Sequence, residues 1–167
     1  MSLREQIGLD RSILESIGDV SLFPDISIKR IKRASKSYGL KEPLDPQKVL
    51  LMVDNTIFNS GKQGLILTEN HLHSFTNISG ALSIPMDEIN SVSPQVRKAI
   101  GKAVIPGIVI NGGYFAALPG MTESIRLGNY DQAAIVILCL ILKGKTGCRI
   151  DLEPEEDPGP PPWYDFG

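Results

Sequence analysis

The stretch DNTIFNSGKQGLILTENHLH, residues 54–73, ends in two histidines that flank a single leucine. On a β-strand, residues two apart share a face, so His71 and His73 have the spacing of two metal ligands. A third ligand, Asp54 or Glu69, would have to be supplied by folding. With it, the chain would be a small metal-dependent hydrolase using His71 and His73. Without it, the pair are polar side chains on the solvent face of a hairpin.

Other chemistry finds less support. A phosphate loop needs glycines that lead from a strand into a helix, with Lys and then Ser or Thr at the end. Ser60-Gly61-Lys62-Gln63-Gly64 runs instead into Leu65-Ile66-Leu67, a strand-like segment. No Gly-x-Ser-x-Gly elbow occurs, so a serine hydrolase has no local signature. Asp87 and Glu88 are adjacent and would face opposite ways on a strand. Cys139 sits in an apolar run and reads as a small buried hydrophobe. No catalytic, cofactor-binding or metal-binding set results, and no cofactor is expected. Asp54 and Thr56 are expected to be structural, their short polar side chains bonding backbone groups where a strand ends.

The elements that would position these residues follow from periodicity. Residues 1–42 are expected to be a helical N-terminal extension. Ile7, Leu14 and Ile17 recur at helical spacing, and Ile28, Ile31 and Tyr38 do so again after Phe23-Pro24-Asp25. Ser27 can cap the second of these helices and Gly39 can stop it. From residue 47 the pattern becomes that of short strands: 48–53, 64–68, 72–75, 81–84, 88–92, 103–110 and 114–118. Thr68-Glu69-Asn70 and Asn111-Gly112-Gly113 supply turns. The apolar run 133–142 is ten residues long, too short to span a bilayer, and is expected to be a helix buried on more than one face. Residues 148–167 form an acidic, proline-rich tail.

Net charge is −2, with 42% hydrophobic and 22% charged residues, ordinary for a soluble domain. The charge is unevenly placed. Residues 26–38 hold Lys29, Arg30, Lys32, Arg33 and Lys36 and no acid, while residues 151–167 hold six acids and no base. A basic helix suits an acidic partner, an anionic lipid surface or nucleic acid. The tail ends in PPPWYDFG. Its Pro-Pro-x-Tyr resembles a ligand for WW domains, and Trp163, Tyr164 and Phe166 are candidate docking aromatics. Two cysteines and no signal-like apolar stretch near residue 1 point to a reduced, cytoplasmic setting.

Asp54-Asn55-Thr56, Gly64-Leu65-Ile66-Leu67-Thr68 and Ile84-Pro85-Met86-Asp87-Glu88-Ile89 together resemble the bacterial pleckstrin-homology-like domains. The resemblance covers roughly residues 47–144, within a domain expected at 43–147. It implies an α+β fold: a bent antiparallel sheet or barrel with a C-terminal capping helix, supplied here by residues 133–142. It also implies a non-catalytic module that binds a partner, most often a protein. Lipid-binding members place Lys and Arg in the first connecting loop, where this chain has only Lys62. The expected function is a non-catalytic interaction module that engages a protein through this domain and the acidic-aromatic tail. The partner-binding candidates are Lys29, Arg30, Lys32, Arg33, Lys36, Trp163, Tyr164 and Phe166. An immunity or antitoxin-type inhibitor of a basic toxin is the related alternative, and homo-oligomerisation is compatible with either.

Overall fold

Val49-Leu50-Leu51-Met52-Val53-Asp54 is buried at every position. A strand is buried throughout only when something covers both its faces. The computed structural model shows what covers them. It describes residues 2–9, 11–15, 20–54, 61–77, 80–98, 104–117 and 149–150.

The fold is α+β. Two short helices, α1 (Leu3–Leu9) and α2 (Arg11–Glu15), precede strand β1 (Val20–Leu22) and a longer helix, α3 (Ile28–Ser37). Four strands follow: β2 (Val49–Asp54), β3 (Gly64–Thr68), β4 (His71–Thr76) and β5 (Gly80–Pro85). With β1 they form a five-stranded antiparallel sheet in chain order, β1-β2-β3-β4-β5. One 3₁₀ turn (Met86–Glu88) leads to β6 (Ser91–Lys98), β7 (Val104–Ile110), β8 (Tyr114–Ala117) and β9 (Arg149–Ile150). These make a second sheet in the order β8-β7-β6-β9, with β9 parallel to β6.

Alternation along the strands divides the core in two. Leu51, Val53, Leu65, Leu67 and Leu72 point to one face of the first sheet and pack with Val92, Ile108 and Ile110 of the second sheet. Leu3, Ile7, Leu14 and Leu22 join this cluster, so the N-terminal segment is built into the core. Met52 and Ile66 point to the other face, where Ile31 and Ala34 of α3 and its C-cap Tyr38 cover them with Ile26 and Val49. The layers are therefore α3, the first sheet and the second sheet. A register shift between Val49 and Leu51 lets Leu50 and Leu51 both join the inter-sheet cluster.

Several local signals operate as expected. Ser27 caps α3 by accepting from the Arg30 N–H. Gly39 ends it at φ +68°, with Leu40 N–H donating to the Ser35 carbonyl and Gly39 N–H to the Lys36 carbonyl, a Schellman closure. Thr68 Oγ1 accepts from His71 N–H at 2.9 Å and holds the β3–β4 turn. Asn111 and Gly112 take positive φ, 54° and 70°, between β7 and β8.

Other expectations are corrected. The N-terminal segment is not wholly helical, because Val20–Leu22 pairs with Leu51–Val53 as an edge strand. Residues 86–88 turn instead of opening a strand at 88, and β6 starts at Ser91. Neither sheet closes into a barrel among the described residues. The expected capping helix at 133–142 and the tail lie outside the described residues. Among the described residues no helix is long and apolar enough to cross a membrane.

Candidate functional site

Helix α3 has three faces with three different uses. Ile31, Ala34, Ser35 and Tyr38 are buried against the first sheet. Arg30 and Ser37 lie on one flank. Lys29, Lys32, Arg33 and Lys36 recur at helical spacing and are all exposed, so they form one outward stripe.

The flank is a clamp between α3 and the end of β2. The Asp54 side chain is fully buried and that of Arg30 only 19% exposed. Arg30 donates from Nη2 and Nε to Asp54 Oδ2, at 2.9 and 3.2 Å. Its Nη1 donates to Ser21 Oγ at 3.1 Å, adding β1. Gly61 N–H donates to the same Asp54 oxygen at 2.9 Å. A buried carboxylate is tolerated only when paired and hydrogen-bonded, and these donors meet that condition. Gly61 has φ +76°, and a Cβ there would stand 2.7 Å from the Arg30 carbonyl oxygen. Ser37 Oγ donates to the Lys62 carbonyl. Residues 61–62 are thus held along the α3 flank, which brings Lys62 beside the basic stripe.

Asp54 therefore acts structurally at the strand end, as expected. Thr56 lies outside the described residues. Arg30, a candidate partner-binding residue by sequence, is directed inward and is not part of the stripe. Ile28, expected in the apolar spine, is 56% exposed beside the stripe. Trp163, Tyr164 and Phe166 lie outside the described residues.

The basic residues before residue 40 divide by use. Arg4 pairs with Glu69 at 3.3 Å and lies 4.4 Å from the Phe23 ring centroid. Arg11 pairs with Glu15 and Asp25, both at 2.7 Å. Arg30 pairs with Asp54. Among the described residues, Lys29, Lys32, Arg33 and Lys36 form no ion pair.

His71 and His73 do share a face, their rings stacked with centroids 5.5 Å apart and planes 4° apart. That face is not solvent for His73, which is only 7% exposed. The reason is register: His73 lies between Ile66 and Ser83 in the row that starts at Met52, on the sheet face toward α3. Its Nδ1 is 2.8 Å from Ser83 Oγ. Burial, and secondarily the charge of His71, lower its pKa to about 4. The two acids that could complete a metal site are engaged elsewhere, Asp54 by Arg30 and Glu69 by Arg4. One ion must lie in the plane of each imidazole it binds, so parallel stacked rings cannot share it without rotating. Among the described residues no group of three or more His, Cys, Asp or Glu side chains could hold a metal.

Tyr38 tilts against Phe75 at 6.0 Å between centroids. Its burial, and then the Asp54 charge, push its pKa above the ordinary tyrosine value. Comparison with family models, curated proteins and solved structures finds no match for this chain.

Proposed function

We propose that the protein is a non-catalytic binding module of pleckstrin-homology-like architecture, and that it docks an acidic protein surface on the outer stripe of α3. The antiparallel meander β2-β3-β4-β5, backed by a second, mixed sheet, supports that architecture. The observation that carries the docking reading is the division of the bases. Arg4, Arg11 and Arg30 are each paired with an acid of the same chain, while four bases on one face of one helix pair with no acid among the described residues. Single-sign charge on one face steers an oppositely charged partner and sets its orientation. Exposed Ile28 at the end of the stripe gives that partner an apolar contact.

The test is binding of the full chain to an acidic polypeptide, polyglutamate, at low salt. Vesicles containing phosphatidylserine and single-stranded RNA serve as comparison probes. The expected result is saturable binding to the polypeptide. Joint Lys29→Glu, Lys32→Glu, Arg33→Glu and Lys36→Glu substitution should weaken it at least tenfold. Binding to vesicles or RNA alone would overturn the protein-partner reading.

A further inference from the structure

We infer that the outer edge of β5 is a homodimer interface, on which the same edge of a second copy pairs antiparallel across a two-fold axis at Ser83. The pairing goes beyond the docking reading and stands independently of it. Three observations carry it.

The first is which backbone groups face outward. Among the described residues β5 pairs with β4 alone and ends the first sheet. Met86 N–H donates to the Asn70 carbonyl at 2.7 Å, next to the matched residues His71 and Pro85. Asn70 and Met86 are thus a hydrogen-bonded pair, and such pairs alternate along an antiparallel ladder. Ile84, Leu82 and Gly80 therefore bond to β4, while Ala81, Ser83 and Pro85 direct their backbone groups away from it. Pro85, which has no N–H, falls in the outward set, as a proline in an edge strand does. Ala81 and Ser83 are exposed.

The second is how little on this edge wards off another strand. Natural edges are blunted by charge, proline, bulges, short length or a covering element. The opposite edge, β1, is three residues long and lies against α2. By contrast β5 is six residues, Gly80-Ala81-Leu82-Ser83-Ile84-Pro85, with no charge. It matches β4 residue for residue with no register shift, and its proline stands at the end.

The third is self-complementarity, which a two-fold interface requires. With Ser83 opposite its own copy, the two Ser83 residues exchange both backbone bonds. Each Ala81 N–H then meets the Pro85 carbonyl of the second copy. Every outward N–H is used, and the missing Pro85 N–H leaves only the Ala81 carbonyl without a donor. On the inter-sheet side, Leu82 comes opposite Ile84 of the second copy in a non-hydrogen-bonded pair, where side chains approach most closely. Leu82 is only half-buried on the inter-sheet core, so this contact removes apolar surface from water. On the other side only the uncharged Ala81, Ser83 and Pro85 meet. Such an axis is perpendicular to the sheet, so both α3 stripes would lie on one side of a continuous sheet.

The experiment measures the mass of the full chain by sedimentation across a concentration series. A ladder this short buries less than a standard interface, so the mass should rise from one chain toward two as concentration approaches the millimolar range. Raising salt should not weaken the dimer, because screening acts on charges and this edge has none. Ser83→Pro removes an outward N–H, leaves the bonds to β4 in place, and should raise the dimer dissociation constant at least tenfold. Cysteine variants under mild oxidation read the register. A hydrogen-bonded pair holds its Cα atoms about 5.5 Å apart, within disulfide range, so Ser83→Cys should cross-link to its own copy. Ala81→Cys should not, since its two copies stand roughly 13–14 Å apart along the strands. Mass spectrometry of the linked peptides separates these products from any that involve Cys139 or Cys148. The cross-link keeps the test decisive if Ser83→Pro fails to fold. One-chain mass at every concentration, a dimer that dissociates in salt, or a folded Ser83→Pro dimer of undiminished affinity would each overturn the inference. So would cross-linking of Ala81→Cys in preference to Ser83→Cys. Polyglutamate binding tests the α3 stripe separately, so either reading can fail alone.

Discussion

Arg30 Nη2 stands 2.9 Å from Asp54 Oδ2, and this pair joins the first turn of the protein's basic helix to the end of β2, a strand buried at every position. The same arginine shares a helix with four bases that pair with no acid among the described residues. One turn of α3 separates a structural cation from a surface one.

Arg30 and Arg33 should therefore respond in opposite ways to the same change. Removing one partner of a buried pair leaves the other charge uncompensated, at about 3–5 kcal/mol. Partial exposure of Arg30 places Arg30→Gln at the lower end, about 3 kcal/mol. Arg33→Gln should alter stability by no more than about 0.5 kcal/mol and act on acidic-polypeptide binding instead. Urea denaturation of both variants, with binding measured on the folded protein, checks the contrast. Equal loss of stability would contradict it.

Gly61→Ala should cost more than the usual loss of backbone freedom. The position has positive φ, and a Cβ would meet a backbone carbonyl, the Arg30 oxygen at 2.7 Å, which cannot rotate away. Left-handed strain alone is roughly 1–2 kcal/mol, and the contact adds to it. A loss above about 2 kcal/mol is expected, with Lys62 displaced from the helix flank. Gly39→Ala, at φ +68° but in open space, should show only the strain.

His73 should make the fold acid-sensitive in a defined window. Its folded pKa of about 4 lies below the ordinary 6.5, so the unfolded chain binds the proton more readily. The neutral ring contributes no pH dependence above about pH 7, and stability falls as pH drops from about 6.5 toward 4. The loss totals up to about 3 kcal/mol if the whole shift is realised. Thermal denaturation between pH 7 and 4.5 should show a steeper decline for the natural chain than for His73→Leu. Parallel curves would rule out His73 as the cause.

Asn111 should be replaceable by neither Ala nor Gly without loss. Its Oδ1 accepts from Asn90 N–H at 2.7 Å and Ser91 N–H at 3.2 Å, and its Nδ2 donates to the Glu88 carbonyl at 2.7 Å. Asn111→Gly keeps the positive φ but loses these bonds, about 1–2 kcal/mol at an exposed site. Asn111→Ala loses both and should be the less stable of the two in denaturant titration.

Local signals were legible because they act over a few residues. Ser27 and Gly39 bound α3 as their types require, and β3 begins at Gly64 and ends at Thr68 as its apolar run indicates. Asn111-Gly112 turns the chain because these residues tolerate positive φ. The basic character of α3 was also legible, as five bases and no acid in residues 26–38, though not which of the five face outward.

Long-range pairing decided the rest. Val20–Leu22 is too short to declare itself as a strand and forms because Leu51–Val53 offers it an edge. Nothing near Arg30 in the sequence distinguishes it from Arg33. Only the packing of α3 on the first sheet turns one toward a carboxylate twenty-four residues away and leaves the other in solvent. His71 and His73 share a face by the two-residue period of a strand, which the sequence contains. Whether that face meets water depends on which layer covers it, and that is a property of the assembled sheets and helix.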